Sequence, residues 1–241
     1  MAQRTRLPPT LGGGAARKAR CACEVRVTPR GVDSSAVVKV SRSGTLNSSN
    51  LRVLGVQRAI ARKVQIAGRS ILTAIHKTAV HEAVELRPLG LVGDEQADLS
   101  VHGGLDKAVY AYPSEHYSYW QQERHQAGLD GIDNDLPFGA MGENLTLQGL
   151  LETDVWVGDV LHFSACSLRV TAPREPCYKF NAAMGFSHAV KRMAQTGFCG
   201  FYLAVDRPGA IASGETFVLE PGPRRLSIPQ RFEAKMFKHM R

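Results

Sequence analysis

Short apolar runs separated by Gly, Pro and Asp recur along the chain from Leu51 onward. LRVLGVQRAIA opens the series, and AVYAYP, ENLTLQGL, DVWVGDVLHF, SLRVTAP, GFYLAV and ETFVLE continue it. Runs this short, bounded by turn residues, predict strands. Two stretches carry helical spacing instead. One starts at Ser114 as N-cap and runs through EHYSYWQQERH toward Gly128. The other starts at Ser187 and runs through HAVKRMAQ to a stop at Gly197. Many short strands with few helices predict a mainly β fold with α decorations, an α+β chain built on a β-barrel or sandwich. No internal repeat is visible. The stretch after Pro221, GPRRLSIPQRFEAKMFKHMR, is basic and suits a short helix with no evident core role.

Composition divides the chain of 241 residues. Its formal net charge is +8. Residues 1–52 hold ten Lys/Arg against Glu24 and Asp33, a net of +8, so residues 53–241 are neutral overall. The foldable part therefore gives no electrostatic case for a nucleic-acid partner. Residues 1–52 are rich in Arg, Gly, Ser and Pro, lack apolar periodicity and read as a disordered basic segment. That segment lacks the apolar centre of a secretory signal. Its make-up fits a solvated tail or an upstream start codon, and mildly resembles an organellar transit peptide. The expected organisation is a segment over 1–52, one domain over 53–221 and a basic tail over 222–241. No apolar run reaches the roughly 18 residues of a membrane span. The five cysteines lack the spacing of a disulfide framework or a structural zinc site, so a reducing cytoplasm is the expected home.

Three stretches carry candidate chemistry. In PREPCYKF, Pro173 and Pro176 disfavour helix at the residues before them and predict an extended or turning segment. On an extended chain Cys177 and Lys179 share a face about 6.6 Å apart along the strand, with Arg174 opposite. Cations beside a thiol favour the thiolate, the form that attacks carbon or binds metal. A buried, inert thiol is the alternative, and Cys166 fits that description better. In LGLVGDEQADLSVHGGLDKAVYAYP, the residues Asp94, Glu95, Asp98, His102, Asp106 and Lys107 surround Gly103 and Gly104. The two glycines permit φ > 0 and close approach of backbone to an anion, although a plain polar loop looks the same. In FGAMGENLTL, Glu143 and Asn144 offer the donors and acceptor that read a heterocycle edge, or simply form a tight turn. P-loop, nucleophile-elbow, zincin and iron–sulfur patterns are all missing.

LGLVGDEQADLSVHGGLDKAVYAYPSEHYSYW, FGAMGENLTL, VGDVLHF, PREPCYKF and TGFCGFYLAV, in this order, resemble the MOSC domain and its YiiM-like branch. The resemblance implies a MOSC-type β-barrel that binds the molybdenum cofactor (Mo-molybdopterin), with Cys177 as the metal ligand. Pyridoxal phosphate is a second cofactor admitted at family level. The implied activity is reduction of N-hydroxylated compounds such as 6-hydroxylaminopurine, a detoxifying reaction, with electrons from a separate flavoprotein. On this reading Arg174, Lys179, Gly103 and Gly104 hold the cofactor's phosphate, and Glu143 and Asn144 hold the pterin. Cys177, His102 and Asp106 form the catalytic set, the last two relaying protons. Neither nucleic acid nor membrane is an expected partner. A non-catalytic carrier of molybdenum cofactor or activated sulfur uses the same cysteine. A hydrolase pairing Cys177 with His102 is a third reading. Leu105 stands where related chains often have proline, and Cys199 where they have a small polar residue.

Overall fold

The computed structural model describes residues 51–97, 103–129 and 136–237. The expected disorder of 1–52 lies outside them, except that Leu51 is already buried and Arg52 starts the first strand. The strands in chain order are β1 (Arg52–Arg58), β2 (Arg62–Ile66), β3 (Arg69–Thr73), β4 (Thr78–Val80), β5 (Val84–Arg87), β6 (Gly90–Leu91), β7 (Val109–Pro113), β8 (Leu145–Gln148), β9 (Val160–His162), β10 (Ser167–Pro173), β11 (Phe201–Arg207), β12 (Gly209–Ile211) and β13 (Val218–Glu220). The helices are α1 (Tyr117–Gln126), α2 (Tyr178–Met184), α3 (Ala189–Thr196) and α4 (Ile228–Met236).

Eight strands form the main sheet in the order β13-β9-β10-β11-β7-β8-β1-β4. Every pair in it is antiparallel except β7–β8. The sheet curls back on itself. Val53 N–H donates to the Glu215 carbonyl and Phe217 N–H to that of Leu51, tying β1 to the chain that enters β13. This is the mainly β, barrel-like architecture that the short apolar runs predict. β7 explains how helices decorate it: all five of its residues are buried, so both its faces are covered. Trp120 of α1 and Phe180 of α2 meet edge to face at 5.2 Å, and the Trp120 indole N–H donates to the Tyr112 hydroxyl of β7 at 2.6 Å.

Every predicted strand is present within its run, and Gly197, at φ +74°, ends α3 as expected. Several features differ from the prediction. Strands β2 to β6 and β12 lie outside the predicted runs, because β2 and β3 are largely exposed and β4, β5, β6 and β12 have at most four residues each; β2–β3 is a hairpin turned by Ala67 and Gly68 at φ 50° and 75°. The helix expected from Ser114 begins three residues later, because Ser114–His116 is a 3-10 turn. α2 occupies part of a stretch read as extended, since the proline restriction reaches only as far as Pro176.

The tail has a core role after all. Ser227 and Gln230 form a capping box at the start of α4, and Ile228 and Phe232 are buried. The domain therefore runs past Pro221. Among the described residues no helix is long and apolar enough to cross a membrane.

Gly200 connects the end of α3 to β11 at φ +64°, where an added Cβ would sit 2.4 Å from the Ala111 carbonyl oxygen. Gly200→Ala is expected to cost more than about 2 kcal/mol of stability, read as a lower urea midpoint with an unchanged m-value.

Candidate functional site

β10 carries the chain toward the cysteine through a bulge. Val170 pairs with Leu203 and Ala172 with Tyr202, so Thr171 has no opposite residue on β11. Pro173 closes the strand, residues 174–176 cross an edge of the fold, and Cys177 stands at the N-cap of α2 in an extended conformation. Cys177 is half-buried and lines an open cleft with a cavity volume of about 100 Å³.

Two elements bring the cations in. Arg174 is 5% exposed, with its guanidinium 5.4 Å from the Tyr110 ring and 4.8 Å from that of Phe180. One of its nitrogens lies 3.5 Å from the Met193 sulfur. Among the described residues no carboxylate is within ion-pair distance of it. Cation–π contacts offset part of the desolvation of this charge, and an anion in the cleft would offset more. Lys179 lies in the first turn of α2, not on a strand; its ammonium donates to the Leu72 carbonyl at 3.4 Å, and helix and hairpin thus meet at the mouth. Lys77 and Lys107 complete the set of lining cations, Lys107 lying 5.5 Å from the Tyr202 ring centroid.

The two lining acids are committed to the fold. Asp94 accepts from Lys77 at 2.5 Å, from Ala59 N–H and from the Asn144 amide at 2.8 Å each. Glu95 accepts from Ala61 N–H at 2.8 Å. Asn144 lines the cleft, but its amide donates to Asp94 and to the Gln57 carbonyl, and its oxygen accepts from Tyr110 N–H at 3.1 Å. It ties β1 to β7 and leaves no spare N–H for a pterin.

Cys177, Arg174, Lys179 and Asn144 thus come together. Glu143, Asp106, Gly103 and Gly104 do not line this cleft. Glu143 is fully buried, and its carboxylate is consumed by the N–H groups of Gly139 and Met141 and the hydroxyls of Tyr117 and Thr146. It locks the FGAMGEN turn rather than a pterin, because four protein donors already saturate it. Asp106 is exposed in the 3-10 turn Leu105–Lys107, on the side of Arg169, and its backbone carbonyl accepts from the Thr171 hydroxyl. Gly104 does take the positive φ its sequence suggested, at +90°, but its N–H donates to the Gln96 side chain at 3.0 Å. Gly103 precedes it, also outside the lining. His102 and Asp98 lie outside the described residues.

Pattern reading missed Thr73, Ala74, Ile75, Lys77, Tyr110 and Tyr202 as lining residues. Only the placing of Lys107 and Asp94 in a dense polar motif offered a signal. Cys199 packs, donating to the Gly200 carbonyl at 3.2 Å.

A model of the MOSC domain family matches residues 98–218, half of the chain. The chain belongs to the MOSC domain family, in its YiiM-like branch. It is 39% identical to Protein YiiM of Escherichia coli over 152 residues, 63% of this chain and 65% of that one. It is 33% identical over 198 residues to a reductase of Gibberella moniliformis, covering 80% of this chain and about a third (34%) of the relative. The crystal structure of YiiM from Geobacillus stearothermophilus superposes with a TM-score of 0.62 at 30% identity, over 79% of this chain and 86% of that one. In this MOSC domain half of the cleft's lining falls within the matched region, while Thr73, Ala74, Ile75, Lys77 and the stretch Asp94–Ala97 reach it from outside.

Burial raises the Cys166 thiol to about 11 and drives Cys199 well above its ordinary value. Iodoacetamide at mildly alkaline pH is expected to label Cys177 in the folded, metal-free MOSC domain. Cys166 and Cys199 should react only after denaturation, as peptide mass spectrometry will read.

Proposed function

We propose that the chain is a molybdenum-cofactor-dependent reductase of N-hydroxylated compounds, such as 6-hydroxylaminopurine, with Cys177 as the protein's ligand to the metal. The observation that carries this reading is Arg174: a buried guanidinium with no carboxylate in ion-pair distance among the described residues, in the same cleft as the half-buried Cys177. Among the described residues no group of three His, Cys, Asp or Glu is placed to hold a metal ion. The donor set therefore suits a metal delivered by an anionic organic ligand and fastened by one soft sulfur. The relatives support an oxidoreductase of this family, and MOSC domains are generally associated with the molybdenum cofactor.

When bound, the cofactor supplies two-electron exchange at its metal. The chain's own groups do the remaining work. Cys177 fastens the metal. Arg174, Lys179 and Lys107 hold anionic oxygen on the cofactor. Tyr110 and Tyr202 wall the cleft and keep the Arg174 charge poorly hydrated, which strengthens its attraction to an anion. His102 remains the proposed proton donor by motif, while Asp106 lies outside the cleft lining. The balanced reaction takes an N-hydroxyl, two electrons and two protons to an amine and water. A separate flavoprotein is the proposed source of electrons.

Protein from a cofactor-competent host is expected to contain about one molybdenum per chain, and Cys177→Ala to lose it. Metal analysis checks this, and metal-free wild type from such a host would reject the proposal. The same thiol also serves a carrier of cofactor or activated sulfur. Loaded protein supplied with a flavoprotein or chemical donor should convert 6-hydroxylaminopurine to adenine on chromatographic assay. Full loading without turnover assigns the carrier role instead.

A further inference from the structure

The helix α4 lies outside the region matched by the family model, yet it reaches back to the segment that carries the cysteine. At the bulge, Thr171 sits beyond both of its neighbours' ladders. β11 offers it no partner, and the pairing with β9 spans Ser167–Arg169. The backbone bonds to the chain before β9 end at Val170, which exchanges with Gly158 and Asp159. The Thr171 carbonyl takes a side-chain donor. Arg231 of α4 supplies it, donating at 2.8 Å. Four residues on, one helical turn along the same face, Lys235 pairs with Glu175 of the PREPC segment. The Thr171 hydroxyl is held on the other side, against the Asp106 carbonyl and, at 3.1 Å, that of Tyr202.

A bulge re-aims the chain that follows it, and here that chain leads in six residues to Cys177. We propose that Arg231 is a positioning residue for Cys177. By holding the bulged carbonyl, with Lys235 holding Glu175 two residues before the thiol, α4 sets where the sulfur enters the cleft. The helix itself is firmly seated: Ile228 and Phe232 are buried, and Ile228 N–H donates to the Val155 carbonyl at 2.9 Å. It therefore ties the segment before Cys177 to the chain at Val155. This inference rests on Cys177 being the working group of the cleft, the reading given above.

The test uses the full chain from a host lacking molybdenum cofactor, so that its outcome is independent of metal binding. The rate of iodoacetamide alkylation at Cys177 is measured well below the unfolding temperature, beside hydrogen exchange of the 172–180 peptide. Arg231→Met removes the donors and keeps much of the stem; it should speed alkylation about tenfold and raise exchange in that peptide. Arg231→Lys should restore a rate within about twofold of wild type, because it keeps a charged donor. An Arg231→Met rate equal to wild type overturns the proposal, as does an Arg231→Lys rate as fast as that of Arg231→Met. A purely stabilising role would lower the unfolding temperature and leave the native alkylation rate in place. Should Arg231→Met not fold, Lys235→Met carries the same test: faster alkylation supports the proposal, and an unchanged rate overturns it.

Discussion

Arg174 keeps its charge in a nearly dry place, between the rings of Tyr110 and Phe180 and beside a methionine sulfur. A cation there costs hydration that aromatic faces return only in part. The cost is tolerable because the guanidinium borders a cleft that can admit an anion. Much of the surrounding architecture serves to keep that cation in place. Trp120 and Phe180 brace it from the helical layer, β7 contributes Tyr110, and Arg174 N–H is tied to the Gly200 carbonyl at 3.4 Å.

Around this cation the fold neutralises what would compete for it. Asp94 faces the same cleft, but three donors claim its oxygens, one of them the ammonium of Lys77. Glu143 lies one residue from Asn144 and points away, into a ring of backbone and hydroxyl donors. Lysines, an arginine and committed carboxylates give the cleft a net positive lining, which is what the proposed anionic cofactor would need, with Cys177 as its soft anchor on that reading.

The cleft draws on distant stretches of chain: the end of the β2–β3 hairpin, the loop after β6, β7, β8, β10 with its bulge, and α2. The parallel pairing of β7 with β8, an exception in the main sheet, sets Tyr110 and Asn144 side by side. The C-terminal helix extends the domain beyond the region shared across the family. It is the part of this chain best placed to differ in how it supports a common site.

The short apolar runs by themselves determined the mainly β fold and the strands from β7 to β11. They did so because alternation and turn residues are local properties. The proline-flanked cysteine and its two basic neighbours were legible for a similar reason: such residues are costly in a core strand, so their clustering marks a site. Which of the polar candidates meet was decided only by the tertiary structure. Glu143 and Asn144 are adjacent in sequence, yet one is sealed in a turn and the other faces the cleft, since consecutive residues entering a strand point to opposite sides. Lys77 reaches the site through its ion pair with Asp94 and Tyr202 through the pairing of β11 with β7 at Tyr110, and α4 gains its role from a contact with a bulge that no local pattern reveals. Long-range hydrogen bonding, and the need to satisfy each buried polar group, made those choices.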